Sequence, residues 1–250
     1  ELEERGSIVN GNEILVIPHV NDYSINIGKR FWPGDNTDIN RMFPGNEEGE
    51  TTKRIAAGLF EKVKGYSYGI QFPSFYMPGD FVPHVRMMEA GMESASLANL
   101  FGLPYVVMRS PRPYDKATLN YNWQQWNTHA FSIYTGACDQ VDESSAKQAV
   151  SAVLRFLTRR GILRYTSHSG YIASVVVEQD LTSVCSDNAG IYRRYFKPGD
   201  EVKRGEVLAD VISPDDGSVI SQIHSPTEGN IFFACGQPLI MEGTLLYSII

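Results

Sequence analysis

The sequence predicts an α/β domain over residues 1–164, a mostly parallel sheet with flanking helices, followed by a small all-β module over residues 165–250 folded as a compact barrel or sandwich. Three observations carry this expectation. Up to about Arg164, short apolar runs alternate with amphipathic segments of helical period, which is the order of a layered α/β fold. From about Tyr165 the helical period disappears, and brief β runs are separated by turns such as Lys197-Pro-Gly-Asp200 and Pro214-Asp-Asp-Gly217. The 250 residues have room for one medium and one small domain, and a chain of this size buries roughly 70–75% of its unfolded surface without disulfide staples.

Taken in order, Leu2 to Arg5 with Gly6 behind them read as the last turn of a helix with a glycine C-cap, a helix whose beginning would lie before residue 1. The apolar run at 13–18 predicts a strand buried on both faces. Residues 22–50 are rich in Asn, Asp, Gly and Pro and read as a long functional loop. Thr51 or Thr52 is expected to cap a helix through about Lys64, with Ile55, Ala56, Leu59, Phe60 and Val63 along one face. Strands are expected at 68–72, 104–108 and 130–134, and helices at 87–101 and 144–160. The last of these keeps the 3.6-residue period through Ala146, Val150, Val153, Leu154 and Leu157, with Arg159 and Arg160 at its negative end. In the β module, strands are expected at 171–177, 207–212, 230–234 and 244–249.

Composition excludes several partners. Lys plus Arg is 22 against 29 Asp plus Glu, a net charge of −7, and no block of basic residues supplies the phosphate-neutralising footprint of a nucleic-acid binder. The apolar runs are far shorter than the ~20 residues that span a bilayer, and the charged opening ELEERG is no signal peptide. Cys138, Cys185 and Cys235 are scattered, with no C-x-x-C pair, which argues against a disulfide framework and against a thiolate zinc site. A reduced, cytoplasmic chain with no nucleic-acid or membrane partner is the expectation. A homo-oligomer is compatible with this composition, without a positive sign for it.

The most informative stretch is Arg30 to Gly45, RFWPGDNTDINRMFPG, which follows a predicted strand. Loops of this kind gather at the carboxyl ends of strands, where open α/β sheets bind ligands. Arg30 and Arg41 present planar donor forks that match a carboxylate, and Asn40 adds a directed amide donor. A solvated loop with a surface ion pair fits the same spacing. Aromatic residues crowd the neighbouring loops (Phe31, Trp32, Phe72, Phe75, Tyr76, Tyr121, Trp123, Trp126), either as a ligand pocket or as rings packed under long loops.

With these residues in view, the chain resembles the succinylglutamate desuccinylase/aspartoacylase family. The resemblance rests on VIPHVN, Arg30 and DINRMFPG (38–45), and continues through GLFEKVKGYSYGIQF, ATLNYNWQQWNTHAFSIYTG and the helix ending in RRGIL. It implies a zinc carboxypeptidase-like fold whose first strand and helix lie upstream of residue 1. It implies zinc-dependent hydrolysis of N-acyl amino acids or related small amides, with Arg30, Asn40 and Arg41 holding the substrate's carboxylate end. The family's zinc is held by an H-x-x-E motif and a later His, and a Glu activates the bound water.

The sequence departs from that pattern at each of those positions. The H-x-x-E motif is expected before residue 1; Asn10-Gly-Asn-Glu13 imitates it, but it enters a strand instead of following one. Gln71 stands at the family's His position, and a neutral amide oxygen is a much poorer zinc ligand than imidazole. Tyr134 stands at the position of the catalytic Glu, and an unperturbed phenol is a poor base at neutral pH. Of His19, His84, His129, His168 and His224, no two share a ligand spacing. His84 and His129 are the two that could face the cleft, as a ligand or as a hydrogen-bonded loop histidine. Cys138 has no His nearby in sequence to make it a nucleophile.

The β module resembles a biotinyl/lipoyl-type barrel-sandwich through Gly190-Ile, YFKPGDEVKRGEVLAD (195–210) and SPTEGNI (225–231). A carrier domain presents a Lys at a hairpin tip, whereas the matching turn here is Asp215-Asp216-Gly217. The resemblance therefore implies a module that shapes or covers the cleft and carries no cofactor. Two functions follow: a zinc-dependent deacylase, or a family member without metal that binds a small carboxylate-bearing ligand through Arg30, Asn40 and Arg41.

Overall fold

The computed structural model describes residues 2, 4–73, 75, 78–89, 92–137 and 141–250. Near its start, Gly6 adopts φ 62 and the Ser7 N–H bonds the Leu2 carbonyl at 2.9 Å, the closure a glycine makes after a last helical turn. The elements up to residue 177 are α1 (Asp22–Asn26), α2 (Thr51–Val63), β1 (Tyr68–Gln71), β2 (Gly79–Phe81), β3 (His84–Met88), α3 (Met92–Asn99), β4 (Tyr105–Arg109), α4 (Leu119–Gln125), β5 (His129–Tyr134), α5 (Glu143–Arg159) and β6 (Ser174–Val177). Then come β7 (Thr182–Cys185), β8 (Gly190–Arg194), β9 (Glu201–Val202), β10 (Val207–Ile212), β11 (Val219–His224), β12 (Gly229–Cys235), β13 (Leu239–Ile240) and β14 (Leu245–Ile249).

Five strands form one sheet in the order β1-β5-β3-β4-β6, parallel at every pairing except β5–β3. Side chains alternate across it. Val85, Val106, Phe131 and Ile133 pack on one face with Phe101 and with Ala152 and Phe156 of α5. The other face carries Gln71, Ser132 and Arg86 in register on adjacent strands. The later strands make two further sheets, β11-β10-β8-β13 and β2-β12-β14-β7, around a core that includes Leu208, Ile231, Phe233, Leu246 and Tyr247. The β10–β11 hairpin ends in the 213–218 turn, where the Asp216 carboxylate accepts from the Ser218 N–H at 3.0 Å.

Several expectations change. The run at 13–18 is no strand, and Val16 is 71% exposed. Apolar content favours burial, but a strand also needs a neighbour for its backbone groups, and among the described residues this run has no ladder. Met87 and Met88 belong to a strand, and the helix expected from residue 87 covers only Met92–Asn99, because a short apolar run carries no decisive period. Helix α5 is rotated from the expected face: Ala149, Ala152 and Phe156 are buried, while Val150 is 59% exposed. The run at 171–177 narrows to β6 and pairs with β4 instead of joining the module, whereas β2 crosses over to pair with β12. The Asp80–Arg194 ion pair at 3.0 Å reinforces that junction.

Cys185 and Cys235 are free thiols, and Cys138 and Tyr76 lie outside the described residues. No helix among the described residues is long and apolar enough to cross a membrane.

Candidate functional site

The loop carrying Arg30, Asn40 and Arg41 is shaped by two aspartates. Asp38 accepts from the Asn40 N–H at 2.9 Å, starting a single 3-10 turn (Ile39–Arg41), and accepts from Arg30 Nη2 at 2.9 Å. Asp35 reaches the start of α2, where both its oxygens accept from the Thr52 hydroxyl, at 2.6 and 2.7 Å, and Oδ2 also accepts from the Thr52 N–H. The cap expected from Thr51 or Thr52 thus comes from the loop, and the Thr52 hydroxyl bond holds the Asp35 carboxyl below the usual carboxylate range.

The FPG segment then locks the loop against α2. Gly45 has φ 95, and a Cβ there would stand 2.5 Å from Ala57 Cα and 2.6 Å from the Lys53 carbonyl oxygen. Phe43 is buried against Phe60, and its N–H bonds the Ala117 carbonyl at 3.0 Å. Asn40 Oδ1 accepts from the Leu119 N–H at 3.0 Å, which leaves the Asn40 amide NH2 as a donor. Arg41 Nη1 donates to the Asn40 carbonyl at 2.8 Å, and its guanidinium carbon lies 6.0 Å from the centre of the Tyr114 ring.

These residues line one cleft of about 580 Å³ together with the polar face of the sheet and the edge of the β module. Arg30, Asn40 and Arg41 meet Gln71 and Tyr134 there, so the sequence-derived candidates converge apart from His84 and His129. Ser183, Phe232, Phe233, Leu245 and Ser248 line it from the β module. Of the aromatic residues expected on the cleft loops, Phe75 reaches it; Trp123 is buried in the core with Phe60 and Val63, and Phe72 is exposed.

Sequence reasoning missed Arg86, Arg109, Arg112, Ser132 and Asn120, which also line the cleft. A signal for Arg86 exists, one charged residue alternating with apolar ones in HVRMM, but by composition that stretch reads partly as loop and partly as helix. Arg109 pairs with the buried Asp115, and Arg112 Nη2 pairs with Glu178 at 2.9 Å. On the sheet, the Ser132 hydroxyl oxygen accepts from Gln71 Nε2 at 2.8 Å and Asn120 Nδ2 at 3.3 Å. The Arg86 guanidinium lies over the Tyr134 ring at 5.2 Å.

His84 is corrected. It begins β3 instead of lying on a loop, is fully buried, and stacks on Tyr134 with ring centres 5.0 Å apart. Its Nδ1 is 2.8 Å from the Val82 carbonyl oxygen, and its Nε2 is buried without a partner. Burial, helped by the Arg86 charge, pushes its pKa down to about 3. Unfolded chains take up this proton below an ordinary pKa near 6.5 while the folded protein refuses it, so acid favours unfolding. Stability is therefore expected to be intact above pH ~6.5 and to fall by up to about 1.4 kcal/mol per pH unit on acidification toward pH 3. Urea denaturation between pH 7 and 5 checks this, and the slope should vanish in His84→Phe. His129, at the start of β5, stacks on Tyr68 and does not line the cleft.

The zinc implied by the resemblance does not fit these residues. Gln71 offers a neutral amide already turned to Ser132, and Tyr134 stands against the Arg86 cation, which opposes a second positive charge. Among the described residues, no group of three His, Cys, Asp or Glu side chains could hold a metal ion.

No curated protein matches the chain in sequence. Solved structures do match in fold. A succinylglutamate desuccinylase from Silicibacter sp. TM1040 matches with a TM-score of 0.81 at 20% identity, over 93% of this chain and 73% of that one. The product-bound ectoine utilization protein EutE (DoeB) from Ruegeria pomeroyi matches with a TM-score of 0.79 at 20% identity, over 94% and 73%. A succinylglutamate desuccinylase/aspartoacylase from Rhodobacter sphaeroides matches with a TM-score of 0.78 at 19% identity, over 93% and 73%. The family model for the succinylglutamate desuccinylase/aspartoacylase catalytic domain covers residues 4–160, and the chain belongs to that deacylase family.

Proposed function

We propose that this chain binds a small carboxylate-bearing molecule, such as an N-acyl amino acid or short peptide, through Arg30, Asn40 and Arg41, without a metal. The observation that carries this reading is the charge of the cleft. Five arginines line it against two acids, Asp115 and Glu178, and Arg41 is in none of the ion pairs among the described residues. The Asn40 amide and the unused Arg41 nitrogens form a donor set matched to a carboxylate. The scattered cysteines fit a cytoplasmic setting.

A thermal-shift screen of N-acyl amino acids and short peptides in the presence of a chelator tests the reading. A ligand at a hundredfold its dissociation constant should add about 2.7 kcal/mol of stability. No stabilisation dependent on Arg41 would sink it.

The second reading, zinc-dependent deacylation, is favoured by the family match over residues 4–160. The two readings part on metal. Binding without metal predicts less than about a tenth of an equivalent of zinc after loading and no zinc-dependent rise in melting temperature. Uptake near one equivalent, with release of free amino acid from an N-acyl substrate, would establish the deacylase instead.

A further inference from the structure

The cleft holds a second cation that no carboxylate among the described residues pairs with. Arg30, Arg109 and Arg112 are each paired with a carboxylate, from Asp38, Asp115 and Glu178. Arg86 is in none of the ion pairs among the described residues. Its Nε is buried without a hydrogen-bond partner, and its guanidinium carbon lies 5.2 Å from the centre of the Tyr134 ring. A guanidinium placed this way retains its charge and has lost part of its hydration, so it gains most from an oxyanion that supplies both charge and acceptors.

The neighbours of Arg86 reinforce this demand. Pairing of β1, β5 and β3 puts Gln71, Ser132 and Arg86 in one row on the cleft face. The Ser132 oxygen already accepts from Gln71 Nε2 and Asn120 Nδ2, so its own O–H is left to donate. Arg86 and Ser132 therefore present donors side by side, and no acidic side chain is in the row. His84, behind Tyr134, is held neutral by burial and neither competes for the anion nor adds charge.

We propose that Arg86 and Ser132 make the cleft floor an oxyanion subsite, so that a molecule held at Asn40 and Arg41 by one carboxylate carries a second carboxylate at its other end. This rests on the binding reading above and deepens it: the floor recognises a charged group, where a hydrolytic site would receive a neutral amide carbonyl. Such a ligand is a dianion whose two carboxylates are separated by the span of the cleft.

Simple dicarboxylates serve as probes in place of the natural ligand. Calorimetry with the whole chain, in chelator and at low salt, compares the dicarboxylates succinate, glutarate, adipate and pimelate with monocarboxylates of equal length. At least one dicarboxylate should bind about tenfold or more tightly than its monocarboxylate, with a steeper loss on adding salt. Arg86→Gln should erase that preference, weakening the dicarboxylate about tenfold more than its monocarboxylate, and Arg86→Lys should restore part of it. Arg41→Ala should weaken both classes.

Equal affinity for both classes in the unmodified protein, together with Arg41-dependent binding, overturns the floor subsite and leaves the binding reading intact. Absence of any Arg41-dependent binding overturns both. The comparison within the unmodified protein stands even if a position-86 variant fails to fold.

Discussion

Gly45→Ala is expected to lower the stability of this chain by about 3–4 kcal/mol, roughly a 10 °C drop in melting temperature for a chain of this size. Two causes add. At φ 95 an L-residue is strained, and its Cβ would meet backbone atoms of α2, Ala57 and the Lys53 carbonyl, which cannot swing aside as a side chain tip can. Relief requires the FPG segment to lift off α2, which would also move Asn40 and Arg41, only a few residues earlier. Ligand affinity should therefore fall along with stability. Gly58→Ala is the control: it is an exposed mid-helix glycine whose added Cβ meets nothing within 4 Å, and it should stabilise by roughly 0.5–1 kcal/mol. A Gly45→Ala melting temperature within two or three degrees of the unmodified chain would contradict the packing argument.

Arg41→Ala should leave the fold nearly unchanged and remove ligand binding. Its contacts within the chain are the neighbouring Asn40 carbonyl and the Tyr114 ring, and neither supports the core, so the stability change should stay within about 1 kcal/mol. Toward a bound carboxylate it supplies charge and directed donors, and truncating such a partner costs about 2–3 kcal/mol, a loss of roughly thirty- to hundredfold in affinity. In a thermal-shift experiment, a concentration that stabilises the unmodified protein by about 2.7 kcal/mol should stabilise a variant weakened a hundredfold by only about 0.4 kcal/mol. Unchanged ligand stabilisation in a folded Arg41→Ala protein would remove the loop from the site. Arg30→Ala should cost less, because Arg30 is half satisfied by Asp38.

The two substitutions act at different levels of one loop. Asp35, Asp38 and Gly45 shape it and fasten it to α2, and Asn40 and Arg41 work from that shape. This is why the NR-x-FPG segment is readable in sequence: a tight, glycine-dependent turn next to directed donors constrains many residues in few positions. Helix α2 is readable for a similar reason, although its cap comes from Asp35, seventeen residues earlier, where no local pattern points.

What local pattern does not supply is the partner of each strand and the direction of each side chain. The run at 13–18 has the composition of a buried strand and lies exposed, and 171–177 looks like the module but edges the main sheet. His84 illustrates the same limit. Its neighbours in sequence suggest a loop open to the cleft, whereas Phe81, Tyr134 and Phe232 enclose its ring.

From the sequence alone come the family resemblance, the α/β-then-β order, the Arg30–Asn40–Arg41 loop and the expectation that Gln71 and Tyr134 stand at the family's zinc-ligand and base positions. These depend on residue identity and short spacing, which the chain carries locally. The tertiary structure alone decided that Arg86, Ser132 and Asn120 join them, and that residues of the β module line part of the cleft. Strand register across β1, β5 and β3 brings together residues far apart in sequence, and burial then makes an unpaired guanidinium significant where exposure would have made it ordinary.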